Sequence, residues 1–280
     1  MISLCLTIVF TVSLFVCFKE FVKKNIDTHQ AITFNYLTAC AIAYISHNQA
    51  IDATQIMNYN WIYHTIFLGI FFVIMFNIMG KTTQNLGVSI ASMSSKMSLI
   101  IPALAVLLYD PNIELKKTTI FGVLLAILSV YLTFKKNNDQ KKPITLAIIL
   151  FFGAGILDSC LAYINNILIG SKDESQKFII IIFFTAFSTG ILKILFNKKT
   201  IKIKNIVAGV ILGIPNYYSI YFVLDSLNNL GETVVFPTLN IGVVLLATII
   251  SVSFYNEKLS YTNWIGVFLA CLSIILILAL

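Results

Sequence analysis

The sequence predicts an all-α, polytopic membrane protein with ten transmembrane helices in two inverted five-helix repeats, on three observations. The chain is 58% hydrophobic and 11% charged, with a mean hydropathy of +0.90. Soluble domains carry about a quarter charged residues. Apolar runs long enough to cross a bilayer recur from end to end. Residues 85–131 also align without a gap on 229–275, an offset of 144 residues. Asn85-Leu86-Gly87 returns as Asn229-Leu230-Gly231, and Ala103 as Ala247. The frame Asn112, Leu115, Thr118, Gly122, Val123, Leu125, Ala126, Leu128, Ser129 returns as Asn256, Leu259, Thr262, Gly266, Val267, Leu269, Ala270, Leu272, Ser273. Self-similarity at a fixed period is the signature of a duplicated unit.

A helix needs roughly 20 apolar residues to cross about 30 Å of hydrocarbon. Runs of that length, bounded by charge or turn residues, give the elements in order. The first half holds 2–18, closed by Lys19; 30–46; 61–80, closed by Lys81; 88–109, opened by Gly87; and 118–134, closed by Lys135 and Lys136. The second half holds 144–169, opened by Pro143; 178–196, opened by Lys177; 206–224; 233–255, opened by Gly231 and Glu232; and 262–280. The lysine-rich stretch 135–142 is the junction, so the halves are 1–142 and 143–280. The first run reads as a true membrane helix, because Met1-Ile2-Ser3-Leu4 lacks the basic start of a leader and no small-x-small cleavage site follows. Five spans is an odd number, so the two halves insert in opposite directions.

All 19 basic residues are lysines, so an anion would be met by a point charge and never by a guanidinium fork. The lysines sit between apolar spans and form no basic helix, which speaks against a nucleic-acid partner. Cys5, Cys17, Cys40, Cys160 and Cys271 lie in apolar runs without metal or redox spacing. No catalytic set, metal site or cofactor motif is expected. Gly80-Lys81-Thr82 resembles the tail of a phosphate-binding loop, but it closes a membrane helix and the first glycine of that motif is Met75.

Ionisable groups at membrane depth are costly and mark pathways. Lys96 lies near the middle of the fourth run, and Ser89, Ser92 and Lys96 share one helical face at i, i+3, i+7. The repeat mate of Lys96 is Asn240, so two related helices present polar faces. Small serines also let helices pack closely, and a lysine can snorkel to an interface, so both readings stand here. Asp158 in the sixth run is either a site residue or the partner of a lysine such as Lys96. Glu232 is either a helix-start carboxylate favoured by the macrodipole or a proton-coupling group. Asn35 and Tyr36, with Asn216 and Tyr217, add hydrogen-bonding groups and flat rings, against interfacial anchoring for the aromatics. Pro102, Pro215 and Pro237 interrupt spans and suit gating helices. Gly122-x-x-x-Ala126 and Gly266-x-x-x-Ala270 favour close helix contact, within one chain or in a homodimer.

These residues point to a secondary carrier whose substrate contacts come from Lys96, Ser92, Ser89, Asn240, Asn35, Tyr36, Asn216 and Tyr217. Asp158 and Glu232 are the proton-coupling candidates. The chain also resembles the drug/metabolite transporter superfamily, and within it the EamA-type ten-helix permeases. The resemblance rests on the glycine-led Asn85-Leu86-Gly87 and Asn229-Leu230-Gly231-Glu232, and on Tyr255-Asn256-Glu257-Lys258-Leu259-Ser260 running into Trp264-Ile265-Gly266. It implies alternating access and export of small metabolites, amino acids or drugs, in the bacterial cytoplasmic (inner) membrane. The alternatives are a component that flips lipid-linked substrates and a membrane-embedded enzyme. The enzyme would need clustered carboxylates or histidines, and the longest loop, near 47–60, offers Asp52 alone. Partners are a small-molecule substrate and membrane lipids. The lysine distribution taken alone puts both termini outside, whereas the resemblance implies both in the cytoplasm, and the expectation follows the resemblance.

Overall fold

A computed structural model describes residues 1–47, 56–102, 117–134 and 144–278. The side chains of a few residues within those ranges, Glu232 among them, are outside the description. The junction 135–142, the loop around Asp52 and the repeat positions 103–116 also lie outside the described residues.

The described residues form ten α-helices and no strand. They are α1 (Ile2–Lys23), α2 (Thr28–His47), α3 (Ile62–Leu86), α4 (Val88–Met97) and α5 (Lys117–Phe134), then α6 (Ile144–Tyr163), α7 (Lys172–Phe196), α8 (Ile203–Leu230), α9 (Glu232–Tyr255) and α10 (Tyr261–Leu278). Six of them, α1, α3, α6, α7, α8 and α9, contain stretches long and apolar enough to cross a membrane. The chain is therefore an integral, polytopic helical membrane protein. Helix bounds repeat at the 144-residue offset: α2 and α7 start together, α3 and α8 end together, and α4 and α9 start together.

The helix ends follow local chemistry. α3 passes into α4 through Gly87 alone and α8 into α9 through Gly231 alone, with φ of 102° and 76°. Such a one-residue joint needs a residue without Cβ. α1 ends with Asn25 left-handed (φ 49°). There Ile26 N–H reaches the Phe21 carbonyl at 2.9 Å and Asn25 N–H the Val22 carbonyl at 3.2 Å. α7 ends the same way at Lys198 (φ 48°), with Lys199 N–H on Ile194 and Lys198 N–H on Leu195. Both are paired-bond caps that satisfy carbonyls the helix leaves over.

The fourth run is interrupted at Pro102, as its sequence suggests. Instead of one span over 88–109, α4 stops at Met97, turns at Ser98 and Leu99, and resumes helical form at Ile100. Pro102 explains the place: it has no N–H to give the Ser98 carbonyl four residues back. That carbonyl is taken by Ile101 N–H at 2.9 Å in a tighter turn. Pro215 and Pro237, by contrast, lie inside continuous helices. The sixth run is divided too, with α6 followed by a π-helical turn over Ile164–Leu168. α3, α7 and α8 run further into their polar flanks than the apolar runs indicate.

The chain forms two compact units, each drawing helices from both sequence halves. The first contains 1–19, 78–156 and 218–280. In it α5 packs along α10 and α4 along α9. Met93, Met97, Val244, Val267, Ala270 and Ile274 form its buried apolar centre. Asn263 at the start of α10 donates to the Leu132 carbonyl near the end of α5, and Ser89 at the start of α4 meets Thr248 late in α9, so both pairs are antiparallel. Ser129 and its mate Ser273 each donate to the carbonyl three residues back and approach the Met97 sulfur.

The second unit contains 20–77 and 157–217. α2 packs along α7, again antiparallel: Gln30 at its start binds the Thr200 carbonyl beyond α7, and His47 at its end meets Gln176 near the start of α7. Tyr36 is fully buried, its hydroxyl donating to the Phe72 carbonyl at 3.1 Å and its ring set against Phe76 and Phe183. α8 lies against α2 through Gly209 and Gly213, where a Cβ would come within 2.7 Å of the Ala31 and Asn35 carbonyls.

Candidate functional site

In the first unit the predicted face of α4 is largely buried. Ser89 is 1% exposed and its hydroxyl lies 2.9 Å from that of Thr248. Ser92 donates to the Ser89 carbonyl at 2.9 Å. Lys96 is partly exposed in the last turn of α4, where the helix macrodipole favours a cation. Its mate Asn240 is buried and donates to the Phe236 carbonyl at 2.9 Å. The two serines thus spend their protons on packing and on their own helix, while Lys96 sits directly before the break at Ser98. Glu232 opens α9 and its side chain lies outside the described residues.

The most elaborate polar cluster of this unit centres on Glu257, in the turn between α9 and α10, which sequence reasoning did not assign a site role. Its carboxylate accepts from Val88 N–H, at 3.1 and 3.3 Å to its two oxygens, and from the Ser251 hydroxyl. Lys19 Nζ lies 2.6 Å from Oε1 and 5.9 Å from the centroid of the Tyr255 ring. Glu257 therefore caps α4 from a distant turn, where first-turn N–H groups have no partner within the helix and the dipole favours negative charge. A Cβ on Gly87 would fall 2.2 Å from Glu257 Oε2, so the glycine makes room for the carboxylate. The only sequence signal was its place in the Tyr255–Ser260 segment; a cap supplied across 169 residues leaves no local pattern.

In the second unit Asn35 is fully buried, and neither atom of its amide has a hydrogen-bond partner among the described residues. Leaving a buried polar group unmatched costs about 1–3 kcal/mol, so this amide stands apart from Tyr36, whose contacts are those of packing. Asn216 and Tyr217 are both buried on α8, at 4% and 9% exposure, and Pro215 beside them is buried as well. Asp158 lies on an exposed face of α6.

A second polar assembly joins the α1–α2 and α7–α8 turns. Asp27 accepts from the N–H groups of His29 and Gln30, capping α2, and pairs with Lys199 at 2.9 Å. Burial alone would raise the Asp27 carboxyl; Lys199 and those N–H groups outweigh it, and its pKa lies below the ordinary value. Buried Gln30 and Asn205 bind each other at 2.7 Å, Gln30 also holds the Thr200 carbonyl, and Asn205 accepts from Asp27 N–H. At the far end of α2, His47 meets Gln176 at 2.9 Å and Asp173 at 3.6 Å, while Lys177 holds Asp173 at 2.7 Å.

No family model matches the chain. It is similar to an uncharacterized protein of Haemophilus influenzae (strain ATCC 51907 / DSM 11121 / KW20 / Rd), with 26% identity over 276 residues that cover 95% of this chain and 93% of that protein. The likeness spans nearly the full length of both chains. The fold and these sites define a polytopic α-helical membrane protein with buried polar groups on apolar helices.

Proposed function

We propose that the chain is a secondary transporter, a permease or exporter of small metabolites, amino acids or drugs that works by alternating access in the bacterial cytoplasmic membrane. This is the activity implied by its resemblance to the drug/metabolite transporter superfamily. One observation carries the reading: helices equivalent at the 144-residue offset pack against each other antiparallel, α2 with α7, α4 with α9, and α5 with α10. A helix meets its own repeat mate head to tail when a two-fold axis lies in the membrane plane, the symmetry of inverted-repeat carriers. The halves 1–142 and 143–280 are the repeats of this reading.

Lys96 neutralises an anionic group of the substrate, and the Asn35 amide supplies hydrogen bonds that the described protein does not use. Asp158 and Glu232 carry proton coupling, so flux should follow an imposed pH gradient. The test uses purified protein in vesicles, with substrates chosen by thermal shift, since a ligand of the native fold raises its apparent stability. Lys96→Ala abolishes or reshapes transport at equal protein level; unchanged flux removes its role. Asn35→Leu abolishes transport yet raises thermal stability, because it removes an unmatched buried amide. A purely structural asparagine would give the opposite change in stability.

A further inference from the structure

A cavity of about 370 Å³ opens at the α1–α2 and α7–α8 turns, lined by Asn25, Asp27, Gln30, Lys198, Lys199, Thr200, Lys202, Lys204 and Asn205. Its floor is built: Gln30 and Asn205, 2% and 1% exposed, are held by each other and by the Thr200 carbonyl and Asp27 N–H. Four lysines line it against one carboxylate. Lys199 is engaged by Asp27, and Lys204 donates to the Asn25 carbonyl at 2.7 Å. Lys198 and Lys202 are exposed lysines of the lining and figure in neither contact. The starts of α2 and α8 and the C-terminal caps of α1 and α7 all lie at the cavity, so the helix dipoles oppose one another and its positive field comes from the lysines.

A further feature points to the ligand. On the helix ends that flank the lining residues in sequence, Phe196, Ile203, Leu195 and Val22 are exposed at 84%, 78%, 63% and 54%. A cationic pocket flanked by exposed apolar side chains at the ends of membrane helices matches the boundary between headgroups and acyl chains. We propose that this cavity binds the phosphate group of an anionic phospholipid headgroup. Basic pockets between transmembrane helices take such headgroups by the same electrostatics. The inference is independent of the transport reading, because it uses none of the residues assigned to substrate or coupling.

The test is a set of melting curves of the full chain in nanodiscs of phosphatidylcholine alone or with increasing phosphatidylglycerol, and in detergent with inorganic phosphate. The wild type should melt at a temperature that climbs with the phosphatidylglycerol fraction and is unmoved by inorganic phosphate. Lys198→Asn with Lys202→Gln should melt cooperatively in phosphatidylcholine, which reports folding, and lose most of the climb. Lys81→Gln with Lys258→Gln, removing equal charge elsewhere, should keep it. An equal climb in the cavity variant and the wild type overturns the proposal. A shift of the same size with inorganic phosphate overturns the lipid as its source.

Discussion

Gly87 and Gly231 are repeat mates with the same backbone role, yet their surroundings differ sharply. At Gly231 a Cβ would meet nothing within 4 Å among the described residues, so against these alanine adds only the strain of a positive φ, about 1–2 kcal/mol. At Gly87 the same strain is joined by a collision with the Glu257 carboxylate, which cannot retreat without releasing Val88 N–H and Lys19. Gly87→Ala should therefore lower the melting temperature well beyond Gly231→Ala, measured in one detergent, and adding Glu257→Ala should narrow the gap. Equal effects would mean that the carboxylate adds nothing to the joint. The glycines were legible as a repeated signal, but the carboxylate that separates them was not. Two of its partners, Lys19 and Val88, come from distant segments, and pairing of that kind leaves no trace in local spacing.

At the scale of elements, contact between helices in lipid rests on small residues, because apolar burial gains little when the solvent is itself apolar. α8 carries Gly209-x-x-x-Gly213, a motif passed over in the sequence in favour of the Gly-x-x-x-Ala pairs of α5 and α10. At Gly213 a Cβ would lie 2.7 Å from the Asn35 carbonyl and 2.6 Å from Thr38 Cβ, and backbone of a neighbouring helix cannot step aside. At Gly242 the obstacle is the flexible end of Ile8 at 2.5 Å. Gly213→Ala should cost about 1–3 kcal/mol as an overpacked contact and Gly242→Ala distinctly less, read as the loss of melting temperature and of monodisperse protein. The ten helices themselves were legible because membrane spans announce themselves by composition. The break in the fourth run was announced by Pro102, but its place was not: the missing N–H acts on the Ser98 carbonyl four residues upstream, where apolar residues continue. The clamp of Gln30 on Asn205 was equally hidden, since its two residues read singly as ordinary polar flanks of separate spans.

For the whole molecule, the open question is which face of the membrane each end meets. A two-fold axis in the membrane plane exchanges the two faces, so a fold with that symmetry is nearly indifferent to which way up it inserts, and likeness of fold alone carries little weight on orientation. Charge then decides. If all ten helices cross, the ends of the odd-numbered helices and the turns after them share one face, and they hold Lys19, Lys23, Lys24, Lys81, Lys193, Lys198, Lys199, Lys202, Lys204 and Lys258, together with the junction lysines. The opposite face has Lys116, Lys117, Lys172 and Lys177, of which Lys177 is bound to Asp173. The basic cavity belongs to the lysine-rich face, and anionic lipid is concentrated in the cytoplasmic leaflet. That face should therefore be cytoplasmic and both termini outside, against the orientation that family resemblance implies. A reporter active only outside the cytoplasm should give signal when fused after Leu280 and none when inserted after Thr200, in the α7–α8 turn. The reverse pattern would show that the lysines do not set the orientation, and would place the cavity in the outer leaflet.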